Sequence, residues 1–445
     1  MISKTWKYVN RMPQNKIALI LFIVGLVIRM SYAIYAYKDD ISESFKDDRY
    51  YFHMAKQMSE QGTLFYTTDQ PEYDIVGPGL VWINGLTITI LGENWLGIFI
   101  ISAIASGLIT LLTYKVACLI ANKESALLAG IWSCFYLFYI MFTPTAGKDI
   151  WMALLMILLV YLLIILSHKV KFNYFLFILF TLIFVFSFHL DERFFMFSPF
   201  VFLYFLYSDT NGFKQFRFFK SILFVLLLIL FMLPWGIRNF NKHNKVVLIS
   251  TRTERLTDKI LGYKSRELPF DYLTDLKGKN YIHDYQIDSV LKGSIKFTDA
   301  GTEITETQRQ TMLKGELPHE FTFTEAAWKR TKILLRPFQI GGEFQKTGYF
   351  YYKKSFKHNL VSFLFYGIMF LFAIPGFYWL YNKSRTGFLL LLSTILIYTT
   401  IHALFVPWTT WRYRLPLDSL FIIAGSFGLI MVLNKIKTIV KRSHL

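Results

Sequence analysis

Apolar blocks of about 18–22 residues recur along the chain, the length at which an α-helix crosses the hydrocarbon core of a bilayer. Only 18% of the 445 residues are charged, against about 25% in soluble domains. A chain so poor in charge cannot cover a water-facing surface of its own size. The pattern therefore excludes a soluble cytosolic enzyme, a disulfide-rich secreted domain and a disordered chain. It also excludes an outer-membrane barrel, whose strands are about ten residues of alternating polarity. What remains is an all-α polytopic membrane protein. The formal net charge of +18 does not mark a nucleic-acid partner, because Lys and Arg gather at the block ends, where they act as topology signals. Cys118 and Cys134 lie inside apolar blocks, with neither disulfide-framework nor metal-ligand spacing.

The blocks predict about ten spans, at 17–37, 95–120, 125–143, 149–167, 172–190, 194–208, 218–237, 358–381, 386–406 and 415–433, of which 194–208 is short. Lys4, Lys7, Arg11 and Lys16 precede the first, which is too long for a signal peptide and lacks a small-residue cleavage site. It reads as an uncleaved span with a cytoplasmic N-terminus. Segment 77–92 holds four glycines and a proline. Parity places it at the interface, because only then do the basic loops near Lys171, Lys214 and Lys383, and the tail with Lys435 and Lys441, face the cytoplasm. Residues 238–356 form the one long polar segment and read as a small outer-face domain. The expected organisation is a transmembrane module at 1–237 with a first outer loop at 38–94, an outer-face insert at 238–356, and C-terminal helices at 357–445. No internal repeat is visible, which counts against a transporter built from repeated halves.

This topology gathers polar residues on the outer side: Asp47, Asp48, Lys148, Asp149, His189, Asp191, Glu192, Arg193, Arg238, Arg412 and Arg414. Acids and bases converging on one membrane face point to an active site there. Asp47 and Asp48 open an amphipathic helix in which Tyr51, Ala55 and Met58 share a face and Gly62 ends the run. The pair is either a cap favoured by the helix dipole or a general base or metal ligand. Asp149 opens a span, as an N-cap or as a second active-site acid. Arg29, in the outer part of the first span, either faces a cavity or snorkels to the interface. Arg412-Tyr413-Arg414-Leu415-Pro416 either grips a phosphate or anchors the chain beside Trp408 and Trp411.

Asp47-Asp48-Arg49-Tyr50-Tyr51-Phe52-His53-Met54-Ala55 resembles the first outer loop of GT-C membrane glycosyltransferases, with the acid-acid-x-x-Tyr-x-x-x-Ala pattern on Asp47, Asp48, Tyr51 and Ala55. The resemblance is to the dolichyl-phosphate-mannose-protein mannosyltransferase family and its bacterial relatives, the aminoarabinose and lipopolysaccharide galacturonosyl transferases. Pro78-Gly79, Pro234-Trp235-Gly236-Ile237-Arg238-Asn239 and the Arg-Tyr-Arg-Leu-Pro run match further family motifs in the right order. Two positions depart: Tyr50 and Gly77 stand where some relatives carry phosphate-binding Arg and Lys.

The resemblance implies a GT-C helical bundle with interfacial helices in the first outer loop. It implies a glycosyltransferase that moves a sugar from a polyprenyl-phosphate carrier to a hydroxyl of a lipid, glycan or protein. Asp47 would be the general base, with Asp48 and Asp149 shaping the acceptor pocket; Asp47 and Asp48 are also the candidate ligands of a divalent metal. Arg193, Arg238, Arg412 and Arg414 would bind the donor phosphate, and Arg29, Tyr51 and Lys148 would line the substrate pocket. By analogy with those relatives the protein sits in a bacterial inner membrane with its site facing the periplasm. A flippase of lipid-linked sugars and a glycan polymerase or ligase are the competing readings. A nucleotide-sugar donor is disfavoured, since no glycine-rich phosphate loop is present.

Overall fold

Residues 12–38, 46–66, 76–168, 173–207, 214–244, 246–250, 323–335, 341–344, 350–353, 360–406 and 411–443 are described by a computed structural model. Helix α1 (Gln14–Lys38) is followed by α2 (Lys46–Gln61), α3 (Gly79–Leu91), α4 (Trp95–Ile120), α5 (Lys123–Cys134) and a single turn α6 (Leu137–Met141). Then come α7 (Asp149–His168), α8 (Tyr174–Leu190), a 3₁₀ turn (Glu192–Phe197), α9 (Ser198–Tyr207) and α10 (Lys214–His243). The C-terminal part holds α11 (Phe323–Leu335), α12 (Ile368–Lys383), α13 (Arg385–Phe405), a 3₁₀ turn (Trp411–Arg414) and α14 (Leu415–Ser443). Strands β1 (Gly341–Phe344) and β2 (Phe350–Lys353) pair antiparallel, Gly341 opposite Lys353. The rest of the predicted outer-face insert lies largely outside the described residues, and α10 itself continues past position 237.

Eight stretches among the described residues are long and apolar enough to cross a bilayer: Gln14–Tyr37, Trp95–Ile120, Lys123–Met141, Asp149–Ser167, Arg217–His243, Leu360–Lys383, Arg385–Phe405 and Arg412–Arg442. The predicted helical membrane bundle is therefore correct in class, and two of the ten expected spans differ. Block 172–190 is a helix of 17 residues. Block 194–208 is broken: Asp191 accepts from the Arg193 N–H and opens a 3₁₀ turn, and a ten-residue helix starts at Ser198 with Pro199 in its first turn. At 1.5 Å per residue that helix is about 15 Å long, half a bilayer core. Segment 77–92 forms the 13-residue α3, about 20 Å by the same measure and too short to cross upright.

The centre of the bundle is α4, α7 and α14, whose apolar windows are 67%, 67% and 78% buried, whereas that of α10 is 28% buried. Outward-facing Leu19, Ile23, Val27, Leu226 and Leu230 stay exposed, as suits a surface facing lipid. Helices α12 and α14 cross at backbone distance: a Cβ on Gly428 would lie 2.0 Å from the Phe372 carbonyl oxygen, and one on Gly376 would meet that of Ala424. Small residues permit this approach where apolar solvent provides no hydrophobic drive.

Helix α2 lies on α3 as its pattern predicts, with Tyr51, Ala55 and Met58 all buried and Gly62 at φ +62° ending it. Gly77 and Gly79 pack on the end of α8; a Cβ on Gly77 would lie 2.3 Å from the His189 carbonyl oxygen. No side chain fits there, so a lysine at 77 is excluded by sterics.

Candidate active site

The loop between α6 and α7 is held from three helices. Asp48 of α2, 3% exposed, accepts from the Ala146 N–H at 3.0 Å. Asn84 of α3 donates to the Ala146 carbonyl at 3.1 Å, and Ser102 of α4 donates to that of Thr145. Gly147 sits between carboxylates: a Cβ there would lie 3.1 Å from Asp48 Oδ1 and 3.7 Å from Asp149 Oδ2. The fold thus brings Asp48 and Asp149 to one place. Asp47 shares the first turn of α2, and its side chain lies outside the described residues.

Lys148, between Gly147 and Asp149 in the chain, pairs with another carboxylate. Its Nζ lies 2.5 Å from Asp191 Oδ2. Arg193 closes on the same carboxylate, Nε to Oδ1 at 2.5 Å and Nη2 to Oδ2 at 2.6 Å. Burial opposes the charge on Asp191, but Arg193 and Lys148 outweigh it and hold the carboxyl well below its usual range. Burial also opposes the charge of Lys148, yet Asp191, with Tyr51 next, pushes the ammonium up to about 12. Two cations share the one buried carboxylate, with Glu192 also within electrostatic reach of Lys148, and Lys148 and Arg193 keep 16% and 12% of their side chains exposed. Arg193 also bonds His402 of α13 and lies 4.8 Å from the centre of the Tyr413 ring.

The other predicted residues have other surroundings. Arg29 is fully buried. It donates to Ser106 Oγ and to the Gly25, Ser133 and Cys134 carbonyls, fastening α1 to α4 and α5. Arg414, 1% exposed, is engaged by Asp418 at 2.8 Å and stacks 3.3 Å over the Tyr366 ring. Both guanidiniums are engaged by partners inside the bundle. Arg238 donates to the Tyr66 carbonyl at 2.6 Å and lies over the Trp235 ring, while Trp235 and Asn239 donate to the Ile249 carbonyl. The Pro-Trp-Gly-Ile-Arg-Asn motif thus ties α10 to the chain after α2 and to 246–250. Arg412 is half-buried beside Tyr413. Tyr51 is 7% exposed, within electrostatic reach of Lys148. Asp191, noted only as one of the outer polar residues, is the hub. His402 and Asp418 escaped notice, although an ionisable residue near a span end is the signal that finds both.

Among the described residues no group of three or more His, Cys, Asp or Glu side chains converges as a metal site. An apolar groove of about 690 Å³ begins at Phe195, two residues from Arg193, and runs between α9 and α10 past Phe202, Leu228 and Met232 to Leu248.

Residues 69–235 match the family model of dolichyl-phosphate-mannose-protein mannosyltransferases. The match takes in Lys148, Asp149, Asp191 and Arg193 and leaves out the Asp47–Asp48 and Arg412–Arg414 motifs. No curated protein matches the chain. The structure is similar to the Archaeoglobus fulgidus oligosaccharyltransferase in its apo form, with TM-score 0.55 and 14% identity, over 96% of this chain and 52% of that one. It is equally similar to the archaeal oligosaccharyltransferase AglB in complex with an inhibitory peptide and a dolichol-phosphate, with TM-score 0.54, 13% identity and coverages of 96% and 51%. ArnT from Cupriavidus metallidurans bound to undecaprenyl phosphate aligns at TM-score 0.46 and 10% identity, over 92% and 77%. The chain spans about half the length of the oligosaccharyltransferases. The fold is that of the GT-C glycosyltransferases, as the sequence resemblance implied.

Proposed function

We propose that the protein is a polyprenyl-phosphate-sugar-dependent glycosyltransferase that transfers the sugar to a hydroxyl of a lipid, glycan or protein at the outer face of a membrane. The observation that carries this reading is the pair of carboxylates, Asp48 and Asp149, beside Gly147, next in the chain to Lys148, which with Arg193 grips Asp191. A glycosyl transfer from a lipid phosphate needs both. A carboxylate takes the proton from the acceptor hydroxyl, whose oxygen forms the new bond to the anomeric carbon. The bond to the phosphate oxygen breaks, and Lys148 and Arg193 stabilise the charge left on the phosphate. A single displacement of this kind inverts the anomeric centre. The groove beside Phe195 suits the isoprenoid tail. Asp47 is the first choice of base by its motif, and Asp48 and Asp149 shape the pocket. A divalent cation would be held by Asp48 with Asp47 or Asp149, and transfer with and without EDTA tests it. By analogy with the bacterial transferases that the sequence resembles, the enzyme would sit in an inner membrane with a periplasmic site.

The test is a donor screen on the purified protein in nanodiscs, offering polyprenyl-phosphate sugars and nucleotide sugars and reading release of free polyprenyl phosphate. One lipid donor is expected to turn over, with Asp47→Asn and Asp48→Asn each slower by about 10²-fold or more. Full turnover in both variants would remove the carboxylates from the mechanism. Binding of a lipid-linked sugar without turnover, unaffected by either change, would favour a flippase.

A further inference from the structure

Arg193 is held by more than its carboxylate. A guanidinium has five N–H groups, and four of these go to Asp191 Oδ1, Asp191 Oδ2, Met152 Sδ and His402 Nε2. The His402 contact is 2.6 Å long, and the residue is fully buried. A guanidinium only donates, so His402 Nε2 must be the acceptor. The imidazole is then neutral, with its proton on Nδ1, and Nδ1 donates to the Tyr398 carbonyl at 3.1 Å, one turn back on α13. The ring is fixed on both sides, 4.3 Å from the Tyr398 ring and 5.5 Å from that of Tyr413. Tyr413 in turn stacks on Arg193.

We propose that His402 is a positioning residue for the donor phosphate. As a neutral acceptor built into α13, it fixes the outer edge of Arg193 so that Arg193 and Lys148 present one rigid cationic cradle. The inference rests on the donor reading above and extends it to a residue 209 positions from Arg193 in sequence. An acceptor without charge suits the task. It fixes the guanidinium without cancelling its positive charge, whereas a carboxylate in its place would offset more of the charge that the phosphate needs. It also ties the C-terminal helices to the turn that follows α8, so the cradle is assembled from both ends of the chain.

Two variants separate positioning from packing. His402→Phe keeps a ring of similar size and removes the acceptor. His402→Gln keeps an acceptor oxygen at similar reach and removes the ring. Binding to the full-length protein in nanodiscs is measured for undecaprenyl phosphate, with undecaprenol as the uncharged control. His402→Phe is expected to weaken undecaprenyl phosphate by about tenfold, the scale of one lost charged hydrogen bond, and to leave undecaprenol unchanged. His402→Gln is expected to stay within about threefold of the unaltered chain. Phosphate binding by His402→Phe at the unaltered level overturns the proposal. So does a parallel loss for both lipids, or a loss in His402→Gln as large as in His402→Phe, since either describes packing alone. If the unaltered chain binds the two lipids equally, the donor-phosphate reading itself falls and takes the inference with it.

Discussion

Two arginine clusters in this protein look alike in composition and differ in what their charge is left to do. Arg414 meets Asp418 at 2.8 Å with both side chains 1% exposed, Tyr136 donates to the second Asp418 oxygen at 2.7 Å, and the Tyr366 ring covers the guanidinium. One buried cation faces one buried anion. At the other site two cations share Asp191 and part of each remains accessible. A closed, balanced pair holds helices; an open, unbalanced one attracts an anion. Arg29 is buried like Arg414 but is held by neutral partners, three carbonyls and a hydroxyl.

The sharpest way to break this contrast is to remove the anion from the closed pair. Asp418→Ala strands Arg414 in the core, a change that costs about 3–5 kcal/mol for buried pairs. The expected result is loss of monodisperse protein after detergent extraction. Asp418→Asn, which keeps a hydrogen-bond acceptor, is expected to fall between the two. An Asp418→Ala protein as stable as the unaltered one would mean that the pair is not structural.

Next in size is the opposite experiment at the open cluster. Lys148→Met leaves Arg193 on Asp191, so folding is expected to lose about 1 kcal/mol or less. Transfer, by contrast, is expected to fall by about 10²-fold, the usual scale for one group stabilising developing charge. Thermal unfolding and the release of polyprenyl phosphate, measured on the same preparation, check the split. A fall in stability matching the fall in activity would place Lys148 in the first class.

The helical membrane class and the buried face of α2 were legible in the sequence because each rests on local periodicity and length. The break at 194–208 was less so: the residues are apolar enough for a span, and only the Asp191 cap and Pro199 divide them. Which partners each arginine has was not legible. Arg29 lies inside a predicted span, and Arg193 and Arg414 just before one, and their surroundings are decided by partners supplied from elsewhere: Ser133 is 104 positions from Arg29, and His402 is 209 from Arg193. The pairing within each cluster requires the tertiary contacts. Gly77 shows the same limit from the other side. It read as a missing phosphate ligand, whereas the backbone of His189 leaves no room for a side chain.

The smallest expected effect is a null one, and it tests the open cluster on its own terms. Lys148 is raised from its ordinary 10.5 to about 12, so the stability that it contributes is complete below pH 10.5 and is lost as pH rises through about 12. Asp191 is lowered well below its ordinary 3.8, so its contribution is complete above pH 3.8 and is lost as pH falls through the folded value. Neither group changes protonation between those limits in either the folded or the unfolded chain. The difference in unfolding temperature between the unaltered protein and Lys148→Met is therefore expected to stay flat from about pH 5 to pH 9 and to narrow in strong alkali and in strong acid. A slope inside that window would show that one of the two groups titrates there. The cluster would then carry a variable charge, and the distinction from the closed Arg414–Asp418 pair would have to rest on exposure alone.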